Sequence, residues 1–209
     1  MNHRTHTARR GLTVVELMIA LAITVVIGAA LAAVMTTISS VTAFDRDART
    51  ASLRAHAVQI RLQAYSESGL CVLQSNVDGE FVVWLEDADS SGSVNPTEAR
   101  VFRTNRAGEL ICEWYTPPAE LTPEELADAD TPVPAATDFF TLMDAYRAAG
   151  QTSQTVLADG LSDLTLAFDT ATPPEADRFR YMFRQSFQSG TISDNLIALA
   201  FPNHTTPEF

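Results

Sequence analysis

Leu12–Met35 is a run of 24 residues with one ionisable side chain, Glu16. About 20 apolar residues suffice to cross the hydrocarbon core of a bilayer, and in lipid only a helix or a closed barrel satisfies its own backbone. The run therefore predicts a membrane-spanning helix near the N-terminus. Glu16 is its fifth residue. A carboxylate there costs at least ~2.5 kcal/mol on insertion scales, so the acid needs a partner inside the membrane. Two plainer explanations compete. Arg4, Arg9 and Arg10, with Ala30-Leu31-Ala32, also fit the n-region and cleavage site of a secretory signal peptide, although the apolar core would exceed the usual length of about 7–15 residues. An uncleaved anchor with basic residues on the cytoplasmic side accounts for the same charges.

The stretch Arg9-Arg10-Gly11-Leu12-Thr13-Val14-Val15-Glu16 resembles the class III signal of type IV prepilins and pseudopilins, Gly-Phe-Thr-Leu-Xaa-Glu. Leu12 stands for the usual Phe and Val14 for the usual Leu. The resemblance implies that residues 1–11 are a leader removed after Gly11 by a membrane-embedded prepilin peptidase, and that Leu12 becomes the N-methylated new terminus. Glu16 would then pair with the N-terminal amine of a neighbouring subunit. The family's proline in the second half of the span is missing, and Gly28 is the one helix-weakening residue there.

The helical pattern does not stop at Met35. Val41, Phe44, Ala48, Ala51, Ala55, Val58, Leu62 and Tyr65 keep steps of three and four, with Arg46, Arg49, Arg54 and Arg61 off that face. Gly69, after Ser66-Glu67-Ser68, is placed as the stop. This predicts one helix of about 55 residues, roughly 80 Å long at 1.5 Å per residue. Residues 12–35 form its transmembrane half and residues 36–68 its amphipathic half. Residues 69–209 then form a β-rich head. Strands are expected at Leu70–Leu73, Glu80–Leu85, Ala99–Thr104, Glu109–Tyr115, Leu161–Phe168, Arg178–Phe187 and Asn195–Phe201, the last three as a terminal antiparallel set. Residues 116–137 are Pro-, Ala- and acid-rich, a surface excursion with a short helical turn after Thr122, whose capping box reaches Glu125. A second helix is expected over Asp138–Ala149, closed by Gly150. The fold class is thus α+β: a long N-terminal helix packed on an antiparallel sheet, pilin-like by the resemblance above. Leu157–Asp169 more weakly resembles a strand of J-type minor pseudopilins and W-type minor pilins.

The chain has 14 basic residues, all Arg, against 26 acids, for a net charge of −12. Loss of the leader removes three arginines and makes the balance more acidic still. Such a surface repels nucleic acid and attracts divalent cations. Three arginines before the span and an acid excess after it put the N-terminus in the cytoplasm and the head outside the inner membrane. In an exported head Cys71 and Cys112, the two cysteines, read as a candidate disulfide closing a loop of about 40 residues. The alternative is a pair of buried thiols.

Asp87-Ala-Asp89-Ser-Ser91-Gly92-Ser93-Val-Asn-Pro-Thr-Glu98 fits the calcium-loop spacing, with acids at places one and three, an oxygen-bearing Ser at five, Gly at six and Glu at twelve. Asp87, Asp89, Ser91, the Ser93 carbonyl and Glu98 would supply the ligands. The flanks read as strands rather than helices, so an acidic hairpin turn competes with calcium. Catalytic signatures are lacking. His3 and His6 lie in the leader, His56 on the helix and His204 near the C-terminus. Glu124/Glu125 and Asp128/Asp130 read as solvated acids, and Trp84 and Trp114 as core. The expectation is a non-enzymatic minor pilin or pseudopilin, a subunit of a type IV pilus or type II secretion pseudopilus whose partners are other pilin subunits. A secreted or anchored calcium-binding adhesive or scaffold module, released after Ala32, is the alternative.

Overall fold

The structure, a computed structural model, describes residues 13–134, 136–186 and 192–208. It is α+β, a long apolar N-terminal helix and two antiparallel sheets. The chain divides into two compact units, residues 1–46 and 47–209.

Helix α1, Val14–Ser68, begins in the first unit and ends in the second. Every described side chain of the first unit is exposed, and α1 is long and apolar enough to cross a membrane. Its hydroxyls are spent locally. Thr24 donates to the Ala20 carbonyl at 2.8 Å, and Thr37 to that of Ala33 at 2.9 Å. Residues that could otherwise carry unsatisfied donors into lipid are thereby closed off.

In the second unit, β1 (Cys71–Ser75), β2 (Phe81–Trp84), β3 (Ala99–Thr104), β4 (Leu110–Tyr115) and β5 (Thr152–Ala158) form a five-stranded meander in sequence order. Its side chains alternate between two apolar layers, as a strand period of two requires. One layer contains Val72, Phe81, Val83, Phe102, Leu110 and Cys112 and meets Val58 and Leu62 of α1. The same layer takes in a second meander, β6 (Leu161–Phe168), β7 (Arg178–Ser186) and β8 (Ile192–Ala200). Aromatic rings tie the three elements together: Tyr65 of α1 stands edge-on to Phe102 at 5.1 Å, Phe102 stacks on Phe81 at 4.6 Å, and Phe81 meets Phe179 of β7 at 5.5 Å. The opposite layer packs Cys71, Val82, Trp84, Val101 and Val133 against Phe139 and Met143 of α3 (Phe139–Ala148). Between β4 and α3 lies α2, Pro123–Ala129, started by the expected Thr122–Glu125 capping box.

Several expectations shift. The amphipathic register of α1 is buried at Ala51, Val58 and Leu62 and partly buried at Ala55 and Tyr65, whereas Val41, Phe44 and Ala48 stay exposed. Leu53, Ala57, Ile60 and Ala64 form a second apolar stripe, nearly opposite the first, and it too is exposed. Gly69 ends α1 for want of room, not for a left-handed φ: a Cβ there would stand 2.8 Å from the Tyr65 carbonyl and 3.0 Å from Phe201 and Val83. Strand β5 was not expected, because its exposed edge position demands few apolar residues. The three last strands form a separate sheet, and Phe187 lies outside the described residues.

The expected disulfide does not form. Cys71 and Cys112 are free and buried, three strands apart in the β1-β2-β3-β4 order and in opposite layers. Strand spacing puts them roughly 14 Å apart, whereas a bridge needs Cα atoms within about 7 Å. Burial pushes the Cys71 thiol up to about 12 from an ordinary value near 9, and the Cys112 thiol up to about 11. Both should resist alkylation in the native chain at neutral pH and react fully once it is unfolded without reductant. Because only the unfolded chain ionises these thiols near pH 9, stability should decline as pH rises from 9 towards 11, which melting curves across that range would register.

Candidate metal centre in the β2–β3 loop

The calcium-like segment joins β2 to β3, and its last residue sits in a single 3-10 turn, Pro96–Glu98. Two left-handed residues, Ser90 (φ 56°) and Gly92 (φ 72°), fold the backbone back on itself. That turn aims N–H groups at the first acid. Asp87 Oδ1 accepts from Ser91 N at 2.9 Å and Oδ2 from Gly92 N at 3.0 Å. Asp89 Oδ1 accepts from Ser91 N at 2.9 Å. Hydrogen bonds from Ser91, hydroxyl first and then backbone, hold the exposed Asp89 carboxyl below the ordinary carboxylate range. Ser91 and Ser93 occupy the same turn, linked by Ser91 Oγ donating to the Ser93 carbonyl at 3.2 Å.

Glu98 closes the loop from inside. Only 2 % exposed, it accepts from Ala88 N at 2.7 Å, from Asn95 N at 3.1 Å and from Trp84 Nε1 at 3.1 Å. Asp87, Asp89 and Glu98 each offer an oxygen within 4.8 Å of the others. Two oxygens bound to one calcium at about 2.4 Å stand no more than about 4.8 Å apart, so the three acids fall within reach of a single ion. The sequence reading thus placed these residues on one loop, and the fold brings their carboxylates together. It overlooked Asn95, whose amide donates to Asp89 Oδ2 at 3.2 Å. Asn95 is the ninth residue of the twelve, a ligand place in the same loop pattern.

Of the N-terminal positions, Gly11 and Leu12 lie outside the described residues. Glu16 has a local partner that the sequence reading did not assign it. Its carboxylate accepts from Thr13 N at 2.9 Å and from Thr13 Oγ1 at 3.0 Å, while Glu16 N donates back to Thr13 Oγ1 at 3.3 Å. This is a capping box, the device Thr122 and Glu125 repeat at α2. Of the other acids considered for chemistry, Asp130 accepts from Thr97 N at 3.0 Å and Glu125 caps α2, while Glu124 and Asp128 are exposed. Trp84 is fully buried, and Trp114 lies under the Arg100 guanidinium at 5.8 Å.

Removing the Glu98 side chain would strand three inward-facing N–H donors at about 1–3 kcal/mol each. Glu98→Ala should therefore lower stability by about 3 kcal/mol or more, measured by denaturant unfolding. No family model, no curated protein and no solved structure matches this chain.

Proposed function

We propose that this chain is a minor pilin or pseudopilin, a structural subunit of a type IV pilus or type II secretion pseudopilus. In this reading a prepilin peptidase removes residues 1–11 after Gly11, Leu12 is N-methylated, and α1 is stored in the inner membrane with its N-terminus cytoplasmic and the head outside. Assembly then moves α1 from lipid into a bundle with the helices of other subunits.

One observation carries the reading. Helix α1 is a single 55-residue element; its first part is apolar with nothing packed on it, and its head part is apolar on two opposed faces. One of those faces is consumed by the sheet. The other, Leu53, Ala57, Ile60 and Ala64, has no partner within the described chain, and such a stripe is what neighbouring helices would cover. A released signal peptide needs neither the length nor the second stripe. The acidic loop favours the alternative of a secreted calcium-binding module, and the N-terminus of the mature protein separates the two: methyl-Leu12 for the pilin, a start near Ala33 for the module. Gly11→Glu should leave an uncut, membrane-retained precursor, because a side chain blocks the peptidase; normal trimming of that variant would overturn the assignment.

Glu16 is then asked to do two things in turn, to cap α1 in the single subunit and to pair with a neighbour's amine in the filament. Glu16→Gln keeps an oxygen for the cap but no charge, whereas Glu16→Val keeps neither. Both variants should be cleaved and inserted, and both should fail to enter filaments in a pull-down of sheared fibres. Full incorporation of Glu16→Gln would reduce Glu16 to a helix cap.

A further inference from the structure

The β6–β8 sheet turns one face into the core and leaves the other largely exposed. Pairing register places the outer residues, since directly opposed residues of an antiparallel sheet share a face. Arg180 lies between Ala167 of β6 and Ala198 of β8, Met182 between Thr165 and Leu196, and Arg178 beside Ala200. The two ends of β7 treat arginine differently. Arg184 is held from both sides, by Asp163 at 2.7 Å and Asp194 at 2.8 Å. Arg178 and Arg180 are exposed, and among the described residues neither forms an ion pair, although Asp169 lies across the ladder from Arg178. In a chain whose acids outnumber its arginines 26 to 14, two unneutralised cations side by side reverse the character of the surface.

A groove of about 500 Å³ crosses all three strands at this end, lined by residues 167–169, 178–180 and 198–200. Ala167, Ala198 and Ala200 flank the two arginines, so nothing bulky blocks the way to the guanidiniums. Three strands side by side measure about 10 Å across, close to the ~10 Å diameter of an α-helix. A helix of matching charge stands elsewhere on the same chain. Helix α2 exposes Glu124, Ala127 and Asp128. Glu124 and Asp128, four residues apart, share one face at about 6 Å from each other, and among the described residues neither has an ion-pair partner. The helix is fixed at both ends, by the Thr122–Glu125 cap and by Asp130 on Thr97. Arg178 and Arg180, two apart on a strand, are separated by about 7 Å. Two anions and two cations are thus mounted rigidly, at nearly equal spacing, with neither pair neutralised within its own head.

We propose that the outer face of the β6–β8 sheet is a docking surface for a second copy of this chain, whose α2 lies in the groove with Glu124 and Asp128 on Arg178 and Arg180. The contact joins different patches on the two copies. Each copy therefore keeps one groove or one α2 free, and the contact can be passed on from copy to copy. Charge makes the approach selective. Copies carrying a net charge of −12 repel in most orientations, and this pairing sets unlike charges together. Arg184, already neutralised by Asp163 and Asp194, takes no part. The inference stands apart from the filament reading, since it uses neither Gly11 nor Glu16 nor the exposed stripe of α1.

The test mixes two variants of the full chain in detergent micelles, Ala127→Cys and a tagged Ala198→Cys, and treats the mixture with a short bismaleimide. Both new thiols stand at exposed positions, whereas the native Cys71 and Cys112 are buried and out of the reagent's reach. The cross-linked heterodimer should form well beyond either homodimer. Arg178→Glu with Arg180→Glu in the Ala198→Cys copy should cut its yield about tenfold or more, since two attractive pairs become repulsive. Adding Glu124→Arg with Asp128→Arg to the Ala127→Cys copy should then restore it. Equal yields of the three dimers, or a heterodimer indifferent to the arginine reversal, overturns the contact. A yield lost on reversal and not restored by the exchanged acids gives the arginines another occupant and overturns α2 as the partner.

Discussion

The five-stranded sheet is apolar on both faces, and the rest of the head is arranged to cover it. All four residues of β2 are buried, and β1 and β3 send alternate side chains into both layers. Each large apolar side chain kept from water contributes about 1.5–3 kcal/mol, so neither face can be left open. The C-terminal part of α1 and the β6–β8 sheet cover one face. The other falls to α3, together with Val133 from the excursion. A segment that composition alone reads as surface is therefore partly a lid over the sheet.

Covering a sheet twice creates a polar problem at its margins, since backbone and acidic groups are trapped beneath the covering layers. The head solves it locally. Asp138 accepts from Phe140 N at 3.1 Å and Gln74 Nε2 at 3.0 Å, joining the start of α3 to β1. Arg103 and Arg147 share Asp144 at 2.7 Å and 2.8 Å as well as Glu113, joining α3 to β3 and β4. These contacts fix α3 over the sheet more specifically than its apolar residues could, because guanidinium geometry is directional.

Strongly periodic elements were legible in the sequence. Helix α1, β3 and α3 with its closing Gly150 (φ 73°) were read nearly to their ends, because period, cap and stop agree there. Strand β5 was not, because an edge strand draws its stability from backbone pairing with β4, which composition does not record. The separation into two sheets also escaped, since it depends on which backbone edges pair and not on which residues are apolar. At the loop, the acids announced themselves by spacing. Asn95, followed by Pro96, looks like an ordinary turn residue until the fold shows it buried, with its amide donating to Asp89. The cysteines mislead for a related reason: both lie in apolar strands, and sequence cannot say that successive strands turn them to opposite faces.

The isolation of those two thiols bears on how the head must be made. In the native chain they can never meet, so oxidation adds nothing to the finished structure. In the unfolded chain about 40 residues separate them, and a loop of that size closes at modest entropic cost. A bridge formed then would have to break before the sheet could close. Emergence into an oxidising compartment would therefore set up a race between strand pairing and sulfur chemistry. The meander order of β1 to β4 favours folding, because each pairing joins neighbours in sequence and needs only a short loop. Once Cys71 and Cys112 are enclosed, the race is over, and the finished head is indifferent to the redox state around it.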